Sequence, residues 1–173
     1  MNLVKRKTNV KIAESRRMER HPVPVLGIDY KVEIEYKNNK ITELNVENKT
    51  IKIILPNRYK KMENKKLLDL AIDKMYEQIA KVEIERAMEK TRIMLGFAPE
   101  EYEITKMKTL GKCDNKKIMI HPEVVKYNRK VIDYVILHQY CHLKHKNHTK
   151  AFFNLLEKYL PDYKKCEEIL LNL

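Results

Sequence analysis

Hydrophobic and polar positions alternate with a period of two across DYKVEIEYKNNKITELNVENKTIKIILP, from Asp29 to Pro56. Tyr30, Val32, Ile34 and Tyr36 share one face, and Lys37–Lys40 turns the chain. Ile41, Leu44 and Val46 follow. Asn48 and Lys49 turn it again before Ile51, Ile53 and Ile54. This pattern predicts a small antiparallel meander ending at Pro56. The preceding stretch HPVPVLG, His21 to Gly27, reads as a breaker. From about Asn64 to Leu95 the period becomes helical. Leu68, Ile72, Met75, Ile79 and Val82 mark the stripe, and Ala87, Met88 and Leu95 extend it. That stripe is core rather than a cofactor box. Gly96 and Pro99 stop the helix.

The second half repeats these signals on a smaller scale. EYEITKMKTL and KKIMIHP predict two strands around the turn Cys113-Asp114-Asn115. A second helix is expected from about Asn128 to His142, with Val131, Ile132, Val135 and Ile136 inward. Thr149 is placed to cap a third, with Phe152, Phe153, Leu156, Tyr159 and Leu160 turned in. Pro161 ends it, and a last helix runs from Lys165 to Leu171. The expected fold class is α+β: a β-rich N-terminal meander over residues 1–60 with a basic leading segment, then a helical domain with a small antiparallel sheet over 61–173.

Composition narrows the classes of function. No apolar run approaches the ~20 residues of a membrane span. No apolar signal core follows the basic start, so a soluble cytoplasmic protein is expected. Cys113, Cys141 and Cys166 are odd in number and show no CxxC spacing, which fits a reducing compartment. Cys141 lies among histidines but reads first as a small buried helix residue. The net charge is +12. Residues 1–20 hold seven basic residues against two acidic ones, so a nucleic-acid-contacting arm competes with an ordinary charged first element.

The chemistry concentrates in HQYCHLKHKNH, His138 to His148, which holds four of the six histidines. His138 and His142 are one helical turn apart on the same face, within reach of one ion. Zinc requires a third ligand. His145 continues the face, but on a straight helix it would sit about 10 Å along the axis from His138. The helix must therefore break soon after His142. His148, ten residues past His138, then returns at the spacing of HExxHxxGxxH, with His145 at the glycine position. The third ligand is expected to be His148 in preference to His145 or to a later carboxylate among Glu157, Glu167 and Glu168.

Gln139 stands where the hydrolytic motif has its general base. Glutamine is nearly the same shape as glutamate and hydrogen-bonds water, but it cannot accept a proton. Loss of a general base typically costs ~10²–10⁴-fold. The expectation is a zinc-dependent peptidase, impaired as written. Gln139 admits two origins: a substitution made to trap an inactive enzyme, which the isosteric change favours, or the native residue of a protein using its metal for binding or structure. Tyr134, Tyr140 and Tyr163 are candidates for oxyanion stabilisation. The strand Lys117–Ile120 is weighed as an edge for an extended peptide against an ordinary core strand.

Gly111-Lys112-Cys113, then VIDYVILHQYCHLKHKNHTKAFF, then Pro161-Asp162-Tyr163, resemble the YgjP-like (WLM/SprT-like) zinc metallopeptidase families over about Leu110 to Tyr163. The resemblance implies a zincin-type domain with Zn2+ held by His138, His142 and His148, the family base falling at Gln139, and a protein or peptide substrate. It also implies a possible link to DNA, because SprT-like relatives act on proteins crosslinked to DNA. The sequence departs from the family pattern at Thr109-Leu110 (commonly Arg-Trp) and at Lys112 (commonly Ser). A metal-stabilised, non-catalytic DNA-binding module is the competing expectation.

Overall fold

Thr50–Pro56, TIKIILP, is apolar on both faces of an extended chain, and a strand of that kind is stable only in the middle of a sheet. In the computed structural model, which describes residues 22–61 and 64–171, this segment is β4 and takes that place. The first sheet has the order β1-β2-β4-β3, with β1 at Val23–Val25, β2 at Ile28–Lys37 and β3 at Glu43–Glu47. Pairing departs from the expected meander. β3 and β4 form a hairpin through Asn48-Lys49, both at positive φ, but β2 pairs with β4 in parallel and not with β3. The cause lies in the side chains. Every residue of β3 is exposed, so it suits an edge, while Val32↔Ile51 and Ile34↔Ile53 extend one apolar face across β2 and β4.

The stretch read as a breaker contains β1, whose Pro24 is tolerated because the strand lies at a sheet edge. Its turn, Leu26-Gly27, hydrogen-bonds to the carbonyls of Val125 and Lys126, in a short 3₁₀ segment at Pro122–Lys126. A Cβ on Gly27 would stand 2.9 Å from the Asn128 Cβ. The first hairpin thus braces the chain where the second helix begins.

Helix α1 spans Asn64–Leu95, as the pattern predicts, and ends at Gly96 with φ +74°. Its buried face turns along its length. Leu68 and Met75 lead into Ala80, Glu83, Ile84, Ala87, Met88 and Thr91, whereas Val82 is 66% exposed. The strict 3.5-residue spacing that included Val82 drifts off the stripe that packs against α2.

The second sheet has three strands where two were expected: β5 at Glu101–Ile104, β6 at Gly111–Asp114 and β7 at Lys117–Ile120, in the order β5-β7-β6. β6 and β7 form a hairpin through Asn115-Lys116, and β5 pairs with β7 in parallel. Cys113 therefore lies in a strand and not in the turn. Helix α2, Arg129–Lys144, starts on an Asn128 side chain that accepts from the Val131 N–H. Helices α3, Lys150–Tyr159, and α4, Tyr163–Leu171, follow. Thr149 is the N-cap residue of α3 without a side-chain hydrogen bond. The class is α+β. Ile51, Ile53 and Leu55 share one hydrophobic core with Ile84, Ile120, Ile136 and Leu156. Residues 1–21, with the basic segment, lie outside the described residues.

Candidate metal centre

Helix α2 is amphipathic, with Val131, Ile132, Val135 and Ile136 locking one face into the core. That orientation leaves His138 and His142 side by side at its end. Their Nε2 atoms are 3.2 Å apart. The helix stops at Lys144, and His145 takes an extended conformation with φ −131°. The reversal needs no left-handed residue at His145 or Asn147, so histidine at the usual glycine position causes no strain. The chain then brings His148 back, with its Nε2 3.0 Å from that of His138. The ligand atoms of the three histidines all lie within 4.8 Å of one another, and no carboxylate or thiol joins the group among the described residues.

The packing behind the imidazoles decides which nitrogen carries the proton. A carbonyl can only accept, so the contact of 3.1 Å from His142 Nδ1 to the His145 oxygen makes Nδ1 the donor. Tyr134 donates its hydroxyl hydrogen to Glu167 at 2.8 Å, so the His138 Nδ1 lying 3.3 Å from the same oxygen is also a donor. Both Nε2 atoms then present lone pairs, and the 3.2 Å between them is not a hydrogen bond. Burial, followed by the neighbouring His142 and His148, lowers the His138 pKa to about 4. Burial also lowers that of His142. Both rings are therefore neutral near pH 7.

Imidazole nitrogens facing one point are the donor set of a borderline cation such as zinc. With arms of 2.0–2.1 Å, a tetrahedral centre sets its nitrogens roughly 3.3 Å apart. The separations of 3.0 and 3.2 Å fit that requirement.

Phe152, fully buried, floors the cluster. Its ring centroid lies 4.9, 4.8 and 4.7 Å from those of His138, His142 and His148. Sequence reasoning placed it in the core without seeing this role. Its only sequence signal was its place among the inward-facing apolar residues of α3. Gln139 is 6% exposed, and its side chain lies against Gly111 of β6. Among the described residues its amide makes no hydrogen bond.

Other expectations resolve differently. Tyr134 and Tyr140 do not face the Nε2 side: the first lies behind His138, and the second donates to the Met88 carbonyl. Tyr163 is buried and stacked on Phe153. Glu167 contacts Tyr134 and is not in the cluster. Cys141 is fully buried, and its thiol pKa is pushed up to about 12 by burial, so it is a core residue. Lys117–Ile120 is the central strand of its sheet and has no open edge for a peptide.

An α+β domain that converges three imidazoles at the end of a buried helix defines a candidate metalloprotein of the histidine-ligand class. The family comparison takes this further. A family model described as YgjP-like, metallopeptidase domain, matches residues 2–172, and the chain belongs to that family. No curated protein matches the chain. Among solved structures, the crystal structure of the metallopeptidase zymogen of Pyrococcus abyssi abylysin is similar at 21% identity and a TM-score of 0.45, covering 51% of this chain and 92% of that one.

Proposed function

We propose that the chain is a zinc-site metallopeptidase in which His138, His142 and His148 hold the ion and Gln139 occupies the base position. The observation carrying this reading is the 3.2 Å separation of the His138 and His142 Nε2 atoms: with the hydrogens on both Nδ1 atoms, the Nε2 lone pairs repel unless a cation lies between them. A divalent ion bound there would polarise a scissile carbonyl and lower the pKa of water. The Gln139 amide can hold a water by hydrogen bonding but cannot take its proton. With no carboxylate in the cluster to replace it, hydrolysis is expected to be slow by ~10²–10⁴-fold. The substrate is a peptide. β6 is paired only with β7 among the described residues and runs beside Gln139, so its outer edge suits strand addition by an extended segment.

In this reading residues 61–173 form the catalytic unit, with the sheet of residues 1–60 as its brace. The free thiols Cys113, Cys141 and Cys166 suit a reducing compartment such as the cytoplasm. No helix among the described residues is long and apolar enough to cross a membrane.

The test is metal content together with the reverse substitution. The purified chain should bind one zinc, and His148→Ala should lose it. Gln139→Glu should keep the zinc and cleave casein faster by at least a hundredfold. Absence of stoichiometric zinc overturns the site, and zinc binding with no cleavage by either form overturns the peptidase.

A second reading, binding to DNA or to DNA-associated protein, is favoured by one further observation. From Tyr134 to Leu156 the chain carries lysines and histidines but no Asp or Glu, within a protein of net charge +12. Steeply salt-dependent DNA binding, with no proteolysis by Gln139→Glu, would favour it.

A further inference from the structure

Tyr134 is 5% exposed and lies between α2 and α4. Its hydroxyl group makes two contacts: it donates to Glu167 Oε1 at 2.8 Å and sits 3.3 Å from His138 Nδ1. Asp133, the residue before it, is committed elsewhere, to Arg86 and Lys90 of α1. Glu167 is half-buried and forms no ion pair with a described lysine or arginine, so Tyr134 is the partner its carboxylate is given.

A tyrosine hydroxyl has one hydrogen. A carboxylate 2.8 Å away takes it, because a charged acceptor is roughly twice as strong as a neutral one. The oxygen lone pairs are then left for Nδ1, which must carry a hydrogen. The other ring nitrogen, Nε2, must be bare, and it is the atom 3.2 and 3.0 Å from the other two histidines. His142 reaches the same tautomer by a different route, through the His145 carbonyl.

We infer that Tyr134 and Glu167 are positioning residues: the chain Glu167–Tyr134–His138 sets the tautomer and ring orientation of His138, so α4 controls the affinity of the centre without touching the ion. This inference rests on the proposed metal site only for its affinity arm. The tautomer arm stands without it.

The mechanism explains features that packing alone does not. A phenylalanine would fill the space between α2 and α4 equally well, and a glutamate half-buried beside a tyrosine carries a desolvation cost that a leucine would avoid. Partners of this kind commonly change metal affinity by 10–100-fold.

The experiment has two readouts on the full chain. The first is zinc affinity by chelator competition for wild type, Tyr134→Phe, Glu167→Gln and Glu167→Ala. The second is the His138 tautomer in zinc-free protein, from the ¹⁵N shifts of its ring nitrogens. Tyr134→Phe and Glu167→Ala should each weaken zinc binding by 10–100-fold, and together by no more than the larger single effect. Glu167→Gln keeps an acceptor for the hydroxyl and should recover part of the loss. Wild type should show Nδ1–H, and Tyr134→Phe a mixture of tautomers. Affinities within twofold of wild type together with an unchanged tautomer in folded variants would overturn the inference. If Tyr134→Phe does not fold, Glu167→Gln and Glu167→Ala, at the half-buried Glu167, carry the same comparison. If wild type binds no zinc, the proposed function fails, and the tautomer shift alone decides this inference.

Discussion

Gly111 and Gln139 compete for one volume. A Cβ built on Gly111 would stand 2.9 Å from the Gln139 amide nitrogen and 3.1 Å from its Cδ and Cγ. The absence of a side chain at Gly111 is what allows the Gln139 side chain to pack against the strand. Gly111→Ala should therefore cost about 1–3 kcal/mol by overpacking. In a Gln139→Ala background the same change should cost much less. A double-mutant cycle by urea unfolding measures the coupling, and additive effects would show that the two residues do not share the space.

Phe152 predicts a separable effect on the site. Phe152→Leu keeps an apolar side chain but removes the flat surface against which the three imidazoles rest. The protein should remain folded by circular dichroism, with a loss of roughly 1–3 kcal/mol for the altered core shape. Zinc affinity should fall by more than that of a core control such as Ile84→Val, measured by the same chelator competition.

The clasp between the two long helices should be sensitive to charge. Glu83 of α1 is 5% exposed and accepts from Arg129 at 2.6 Å and from Arg86 at 3.0 Å. The Arg129 hydrogen bond is the main reason its carboxyl titrates below the usual range, with Arg86 adding to it. Glu83→Gln keeps the volume and loses the charge. It should destabilise the protein by about 1–3 kcal/mol at pH 7. Because the folded pKa is depressed, the difference from wild type should shrink as pH falls below the unfolded carboxyl value of 4.5. Denaturant midpoints at pH 7 and pH 3.5 check both statements.

Acid should loosen the metal-free site in a defined window. The folded His138 titrates at about 4, below the ordinary imidazole value of 6.5. Between those values the unfolded chain binds more protons than the folded one, so stability rises with pH there and levels off above it. Zinc-free wild type should lose stability as pH drops from 6.5 towards 4, and His138→Gln should show a shallower slope over that window. Equal slopes in urea midpoints would exclude the lowered pKa.

The elements that were legible from the chain are those whose pattern is local. α1 ends at Gly96 because only a left-handed residue closes a helix in that way, and glycine announces it. α2 begins at an asparagine cap for an equally local reason. His138 and His142 were legible because one helical turn fixes their relation. The pairing of β2 with β4 was not, since the meander and the parallel arrangement use the same alternation. The choice came from the two-sided apolar character of β4 against the exposed β3. β6 was missed as a strand because four residues containing glycine carry almost no strand signal, and it forms by pairing with β7.

The same division runs through the site. The amino-acid sequence by itself determined which residue types are available: four histidines between His138 and His148, two of them one helical turn apart, with a glutamine beside the first. Spacing favoured His148 over His145, and the tertiary structure brings it to the group; only the tertiary structure decided that Phe152 packs against the three rings and that Tyr134 and Glu167 stand behind His138. Spacing along one helix is a local property of the backbone. Which atoms meet from α2, α3, α4 and β6 depends on how their apolar faces pack, and that packing is a property of the whole core.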